Sequence, residues 1–270
     1  MTTKFGLIGG GVMGEALLSR LIDRGIYQAS EVIVSEPQPA RADFLAQEYK
    51  VAVTADNCQA FMQAKEVVCL AVKPQVFSAI AQELADAIDK GHKPLVVSIL
   101  AGVPLSHLEA AFPQLPVIRA MPNTPATVGA GMTAITPGAY THANHLQTAW
   151  QLFSAVGEVV EVPETLMDAV TGLSGSGPAY VALMVEALAD GGVAAGLPRA
   201  IANQLALQTV LGTAQLLHET KLHPAELKDR VTSPGGTTIA GIAQLEKAAF
   251  RSALIEAVKA ATARSHELGK

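Results

Sequence analysis

Aromatic residues, cysteines and charges are all scarce in this chain of 270 residues. Aromatics make up only 4% of it while half of the residues are hydrophobic, so the core must rest on Ala, Val, Leu and Ile, which suits parallel strands and closely packed helices. The net charge is −5 and no basic run is present, which leaves nucleic acids and anionic membranes without an electrostatic contact surface. The composition therefore predicts no nucleic-acid partner and no membrane partner.

The two cysteines are the next restriction. Cys58 and Cys69 match no metal-binding or redox spacing and do not imply a disulfide framework, so we expect them in the core of a protein from a reducing compartment. No secretory signal fits, because a strand-like run begins already at Phe5. The longest apolar window, 179–197, contains acidic residues and predicts a buried helix rather than a membrane span. A cytoplasmic protein is expected.

A glycine-rich loop follows the first predicted strand, 4–8. The loop, Gly9–Gly14, has the pattern G-x-G-x-x-G, and an amphipathic helix and a second strand over Val32–Val34 come after it. Glycines at these positions turn the chain, admit a pyrophosphate to the backbone and let the helix pack on the strand. With an acid, Glu36, about twenty residues further on, this order of elements predicts a dinucleotide-binding site.

Two charged residues leave the choice of nucleotide open. Glu36 stands where an acid accepts a hydrogen bond from the adenosine ribose 2′-hydroxyl, which favours NADH. Arg41, five residues further on, is placed to contact a 2′-phosphate instead, which favours NADPH.

Short apolar runs alternate with helical patterns as far as residue 163. Further strands are predicted over 51–53, 66–72, 95–100, 117–120, 132–135 and 159–162. Helices are predicted over 56–64, from Pro74 as a first helical residue, and over 142–156. Ligands collect beyond the carboxyl ends of parallel strands, which makes 71–74 and the proline-bracketed loop 119–125 candidate contacts. The pattern predicts an α/β Rossmann-type, dinucleotide-binding domain over 1–163.

Residues 164–270 predict helices alone, with Pro198 and Pro224 as first helical residues and a break over 173–178. The apolar stripes of these helices are broader than one core needs. Such a surface is commonly covered by a second copy of the chain. We expect an all-α dimerisation domain and an obligate homodimer.

One stretch in the helical segment carries a possible binding site. In Val231–Glu246 a turn at Pro234–Gly236 runs into a helix that begins at Thr237. Such a turn leaves amide N–H groups unpaired at the positive end of the helix dipole, which suits a carboxylate, and the Thr238 hydroxyl can bond another polar atom of the same ligand. The alternative is an ordinary helix cap, since Ser and Thr are common there.

Other chemistries find less support in the sequence. His142 and His145 form H-x-x-H without a third ligand nearby, so no metal site is predicted. Neither a P-loop nor a G-x-S-x-G elbow is present, and Ser176, between two glycines, lacks the strand-to-helix context of a nucleophile.

The chain as a whole resembles the pyrroline-5-carboxylate reductases. The resemblance is carried by FGLIGGGVMG at 5–14, AVKP at 71–74, RAMPNTP at 119–125, LSGSGPAY at 173–180 and LKDRVTSPGGTTIAGIAQLE at 227–246. It implies a Rossmann domain, a helical domain that interlocks in a dimer, and often a ring of dimers. It also implies reduction of (S)-1-pyrroline-5-carboxylate to L-proline by NADPH or NADH, the last step of proline biosynthesis.

The resemblance further implies roles for single residues. Glu36 and Asn57 are expected near the adenosine ribose and Asn123 near the nicotinamide. The expected cofactor contacts are Ile8, Gly9, Gly10, Gly11, Val12, Met13, Gly14, Glu36, Asn57, Ala71, Val72, Lys73, Pro74 and Asn123. For the substrate, Gly235, Gly236 and Thr237 are expected to offer backbone amides to the carboxylate, and Thr238, as the catalytic residue, to face the ring nitrogen with its hydroxyl.

Two rival functions stay open at this point. A β-hydroxyacid dehydrogenase shares the two-domain plan but usually relies on a lysine in the helical domain, and no lysine after Pro163 lies in a glycine-bracketed loop. A non-catalytic NAD(P) sensor would bind the nucleotide yet have no need of the residues at 233–238.

Overall fold

A computed structural model of the chain describes residues 2–89 and 92–269. They form two compact units. The first contains the residues up to Gly175 together with those from Ala261 onward, and the second contains Ser176–Ala260. These units divide the chain after Gly175 and after Ala260. The domain boundary predicted at residue 163 stays a prediction.

The first unit is built on a sheet with eight strands within the described residues. The strands are β1 (Phe5–Ile8), β2 (Val32–Ser35), β3 (Ala52–Thr54), β4 (Val67–Leu70), β5 (Leu95–Ser98), β6 (Val117–Met121), β7 (Gly131–Pro137) and β8 (Gly157–Glu161). Their order is β3-β2-β1-β4-β5-β6-β7-β8, and only β6 and β7 pair antiparallel. The order reverses between β1 and β4, where a doubly wound sheet binds its ligand.

Helices cover both faces of this sheet. They are α1 (Val12–Asp23), α2 (Pro39–Tyr49), α3 (Asn57–Gln63), α4 (Phe77–Asp89), α5 (Leu105–Ala111), α6 (Ala143–Ser154) and α7 (Met167–Val170). Phe5 and Leu7 of β1 belong to one core, together with Leu17 of α1, whereas Ile8 belongs to a second core with Phe61 of α3. Neighbouring residues of a strand point to opposite faces, so β1 is buried on both sides.

All eight predicted strands are confirmed, with ends that differ by one or two residues. The predicted core position of Cys69 is also confirmed, whereas Cys58 is half-buried, and neither forms a disulfide. Two helices, α2 and α5, were not predicted. In α2 only Leu45 is buried, so its sequence lacks the apolar stripe from which a helix is recognised.

The second unit contains helices joined by turns and no strand among its described residues, as expected. Its helices are α8 (Gly177–Ala194), α9 (Arg199–Thr220), α10 (Pro224–Arg230), α11 (Thr237–Lys247) and α12 (Phe250–Leu268), the last of which ends in the first unit. Ala189 of α8 packs on Ala202 and Ala206 of α9, so small side chains bring the two helices close together. Pro224 is the first residue of α10, as predicted. Pro198 was predicted as the first residue of its helix but is the N-cap of α9, which begins one residue later at Arg199.

Much of the apolar surface of the second unit lies open in a single chain. The prediction of a buried helix over 179–197 is wrong for one chain, because the hairpin of α8 and α9 covers α8 only around Ala189. No helix in the described part of the chain is both long and apolar enough to cross a membrane. The exposed large side chains are Val181, Leu183, Leu188, Leu197, Ile201, Leu205, Leu207, Leu211, Leu216, Val231, Ile239, Leu245, Leu254 and Ile255. Apolar surface of this extent is typical of a chain that buries it against another molecule.

Replacing Phe61 tests the assigned core of the first unit. Phe61 is fully buried, and its ring centroid lies 6.3 Å from that of Phe112. Phe61→Ala should lower the free energy of unfolding by about 3–5 kcal/mol, because it removes buried surface and leaves a cavity. Trp150 is the only tryptophan and lies in the same unit, so its fluorescence can follow urea unfolding.

Tyr140→Ala, at an exposed aromatic of the same unit, is the control and should stay within about 0.5 kcal/mol of the wild type. Equal unfolding midpoints for the two variants, at one protein concentration, would contradict the assigned core.

Candidate active site

The glycine-rich loop joins β1 to α1 at the point where the strand order reverses. Gly9 has a φ of +102°, a conformation that side chains disfavour. A Cβ on Gly14 would lie 2.2 Å from the carbonyl oxygen of Gly9, so the first turn of α1 packs directly on the loop. Ala71 and Val72, which follow β4, close the other side, because a Cβ on Gly9 would come within 2.8 Å of both.

Gly11 has a different environment from these two glycines. It is exposed, and a Cβ built on it would meet no atom within 4 Å. The first amides of a helix have no acceptor in the helix itself, and among the described residues none accepts from the amides of Gly11, Val12 or Met13. Open space beside unpaired N–H groups at a helix N-terminus fits the pyrophosphate of a dinucleotide.

The peptide groups of Gly10 are held from two directions. Its N–H donates to Oε2 of Glu36 at 3.0 Å, and its carbonyl oxygen accepts from Nε of Arg41 at 2.7 Å. Glu36 is nearly buried, and its Oε1 accepts from the amide of Gln38 at 3.0 Å. Glu36 therefore holds the loop in place. It also lies directly after β2, where the adenosine ribose is expected.

Arg41 has further partners that the sequence did not reveal. Its Nη2 pairs with Oε2 of Glu15, and its guanidinium lies 5.1 Å from the ring centroid of Phe44. The hydroxyl of Tyr49 donates to Oε1 of Glu15 at 2.8 Å. Partial burial raises the pKa of Glu15, but the hydrogen bonds from Arg41 and Tyr49 and the charge of Arg41 lower it more, and the net shift is downward. Glu15 is therefore a carboxylate at neutral pH.

Asn57, the first residue of α3, lies beside the end of β2. Its Oδ1 accepts from the hydroxyl of Ser35 at 2.7 Å, and its Nδ2 donates to Glu83 at 2.9 Å. Lys73 is exposed and caps a short 3₁₀ turn that begins at Pro74 and leads into α4, which confirms the predicted place of that proline.

Asn123, which follows β6, has protein partners at both ends of its amide. Its Oδ1 accepts from the amide of Met132 at 2.8 Å. Its Nδ2 donates to the carbonyl oxygen and the hydroxyl of Ser174 at 3.2 and 3.3 Å. Ser174 belongs to a π-helical turn, Thr171–Gly175, and turns of this kind are frequent at functional sites. Asn123 therefore joins this turn to the loop after β6, a contact across fifty-one positions that no local pattern indicates.

In the second unit, the turn before α11 has the predicted form. Gly235 has a φ of +68°, Gly236 is the N-cap, and the helix begins at Thr237. The prediction for Gly236 needs correction, because its amide donates to the carbonyl oxygen of Ser233 at 3.1 Å and is not open to a ligand. Among the described residues, none accepts from the amides of Gly235 and Thr237, and none bonds the hydroxyl of the half-buried Thr238.

The turn can therefore bind an anion but offers no acid. The residues of Pro234–Thr238 include no His, Lys or carboxylate, so none of their side chains is a proton source at neutral pH. What the turn supplies is the positive end of a helix dipole, open amides and the hydroxyls of Thr237 and Thr238.

One other group of ligand-type side chains lies at the edge of the first unit. One ligand atom each of Asp56, Cys58 and Glu83 lie within 4.8 Å of one another. Both carboxylates have partners in the protein, because Asp56 accepts from the amide of Gln59 and Glu83 accepts from Asn57. The group gives no support to a metal assignment beyond its proximity.

Comparison with known proteins finds a matching family model for the helical segment and another for the first part of the Rossmann segment. Residues 164–268 match the family model for pyrroline-5-carboxylate reductase dimerisation, and residues 4–102 match the model for NADP oxidoreductase, coenzyme F420-dependent. A pyrroline-5-carboxylate reductase of Synechocystis is 62% identical over 270 residues, with all of both chains covered. One from Methanosarcina acetivorans is 46% identical, with 99% of this chain and 98% of that protein covered.

Two solved structures are similar over almost all of the chain. A pyrroline-5-carboxylate reductase from Coxiella burnetii has a TM-score of 0.92 and 36% identity, with both chains fully covered. The pyrroline carboxylate reductase of Plasmodium falciparum, solved with NADP bound, has a TM-score of 0.89 and 28% identity, with 99% of this chain and 98% of that chain covered.

Two alanine variants separate the binding role of the loop from its structural role. Gly11→Ala should keep the wild-type free energy of unfolding, because the added methyl meets no protein atom, yet bind NADH roughly tenfold more weakly or worse, because it fills the space expected for the pyrophosphate. Gly14→Ala should instead destabilise the fold, because its methyl would lie against the carbonyl oxygen of Gly9. Fluorescence titration and urea unfolding measure the two effects, and an unchanged NADH affinity in Gly11→Ala would refute the assignment.

Proposed function

The chain belongs to the pyrroline-5-carboxylate reductase family, and from that membership we propose which of its residues bind cofactor and substrate. As a member it is an oxidoreductase that reduces (S)-1-pyrroline-5-carboxylate to L-proline with NADPH or NADH, the last step of proline biosynthesis. The observation that carries this function is the match over the full length of curated reductases, which includes the helical segment and not only the Rossmann unit.

We propose that the loop after β1 binds the pyrophosphate through the amides of Gly11, Val12 and Met13. The remaining cofactor contacts are proposed at the strand ends, where Glu36 and Asn57 follow β2 and β3, and residues 71–74 follow β4. Asn123 has a modified role in this proposal. Because its amide already bonds Met132 and Ser174, it acts by holding the turn Thr171–Gly175 beside the loop after β6.

The substrate carboxylate is proposed to bind at the N-terminus of α11. The open amides of Gly235 and Thr237 and the helix dipole favour an anion there, and the hydroxyl of Thr238 lies in the same turn to bond the ring nitrogen. The bound nicotinamide supplies the hydride. Because this turn contains no acid, the substrate is expected to react in its iminium form, and the protein contributes mainly orientation, which can be worth many powers of ten.

Thr238→Ala tests the proposed substrate site. Loss of the hydroxyl should raise KM and lower kcat, with a fall in kcat/KM of about tenfold for one lost hydrogen bond, while the Kd for NADH stays unchanged. Thr238→Ser keeps the hydroxyl and should retain most of the activity. Steady-state kinetics that are unchanged in Thr238→Ala would remove this residue from the site.

The chain forms a homodimer through its helical segment, in agreement with the dimerisation model that it matches. We propose that the dimers assemble further into a ring and that the protein is cytoplasmic. The exposed apolar side chains of the second unit support a larger assembly, and a content of only two cysteines favours a reducing compartment.

Light scattering on the purified protein tests the ring. The expected mass is an even multiple of the 28.0 kDa chain with at least four copies, since a ring of dimers needs two dimers or more. A stable species of two chains at micromolar concentration would contradict the ring and leave the dimer in place.

A further inference from the structure

We infer that the pocket beyond β2 selects NADH over NADPH, because Glu36 lies where a 2′-phosphate would bind and Glu15 holds Arg41 in a different role. The inference rests on the proposed cofactor loop. It decides between the two nucleotide preferences that Glu36 and Arg41 leave open in the sequence.

The first step concerns the position of Glu36. Only 8% of this residue is exposed, and its two carboxylate oxygens accept from the amides of Gly10 and Gln38. Both donors are backbone groups, so the carboxylate cannot turn away without leaving two amides unpaired. Each oxygen keeps a lone pair that can accept from a ribose 2′-hydroxyl. A 2′-phosphate in the same place would bring a second anion against a fixed carboxylate.

The second step concerns Arg41, the residue that would favour NADPH. Its guanidinium bonds the carbonyl oxygen of Gly10, pairs with Glu15 and lies over the ring of Phe44. Glu15 is itself held by the hydroxyl of Tyr49. Because Nε and Nη2 are used in these contacts, the guanidinium cannot move towards a phosphate without releasing the peptide of Gly10 that it fixes. Arg41 therefore supports the loop and is not a free phosphate ligand.

The third step is the charge of the cluster. Glu15 and Glu36 carry two negative charges and Arg41 one positive charge, which leaves a net charge of −1 on these three residues. The hydroxyl of NADH is compatible with that charge, whereas the additional phosphate of NADPH is repelled by it. Because the groups are partly or almost wholly buried, screening by solvent reduces the repulsion less than it would on an open surface.

Direct binding measurements on the full-length protein test the inference without use of the enzymatic reaction. Titration with NADH and with NADPH, followed by nucleotide fluorescence, should give a Kd for NADH that is lower by roughly tenfold or more, the ratio expected when one like charge lies close to the ligand. The ratio should narrow as salt is raised, because the discrimination is electrostatic.

Glu15→Gln is the sharpest variant. The amide keeps an acceptor for Arg41, and its NH₂ can donate to the oxygen of Tyr49, so the hydrogen bonds are preserved while one negative charge is lost. NADPH should bind several-fold more tightly to this variant, with little change for NADH. Glu36→Ser removes the second carboxylate and should bring the two Kd values together or reverse their order.

Asp43→Asn is the matched control, since it removes one negative charge from the exposed side of the same helix as Arg41 and should leave the Kd ratio unchanged. The inference is overturned if the wild type binds NADPH as tightly as NADH, or if Glu15→Gln leaves the ratio where it was. Failure of the wild type to bind either nucleotide would overturn the proposed cofactor loop as well. Binding of both without preference would overturn this inference alone.

Discussion

The contact between Gly14 and the carbonyl oxygen of Gly9 is the constraint on which the proposed nucleotide site depends. A side chain at Gly14 would lie only 2.2 Å from that oxygen. Because glycine has none, α1 can start immediately after the short loop that follows β1. Its first amides then face the edge where the order of strands reverses, beside the open space at Gly11. Glu36 and Arg41 hold the intervening peptide of Gly10, so contacts within the protein fix the shape of the loop.

The sequence predicted those parts of the protein that depend on local pattern. The apolar strands, the glycine loop and the turn before α11 each have a signature within a few residues, and the resemblance to reductases of pyrroline-5-carboxylate is confirmed by the comparisons. What could not be predicted depends on tertiary contacts. The pair of Glu15 with Arg41 and the bond of Asn123 to Ser174 join residues far apart in the chain, and α2 lacks an apolar stripe because it buries a single leucine.

The helical unit provides both an apolar surface for a second copy of the chain and the proposed binding turn before α11. Alanines at the contact between α8 and α9 let these helices approach closely, while the longer apolar side chains remain on the outside and are available to a second copy. The turn at Gly235 adds the proposed anion site at the start of a helix, and the residues Pro234–Thr238 include no acid. A chemistry that needs orientation and a hydride suits such a site better than one that needs proton transfer from the protein.

The most direct test of the assigned function is the absorbance of NADH or NADPH after addition of pyrroline-5-carboxylate to the purified protein, with L-proline measured in the same samples. The account predicts rapid oxidation of the nucleotide and one proline formed for each nucleotide oxidised. A protein that binds the nucleotide but neither oxidises it nor forms proline would contradict the account and point to a different substrate or to a role without catalysis.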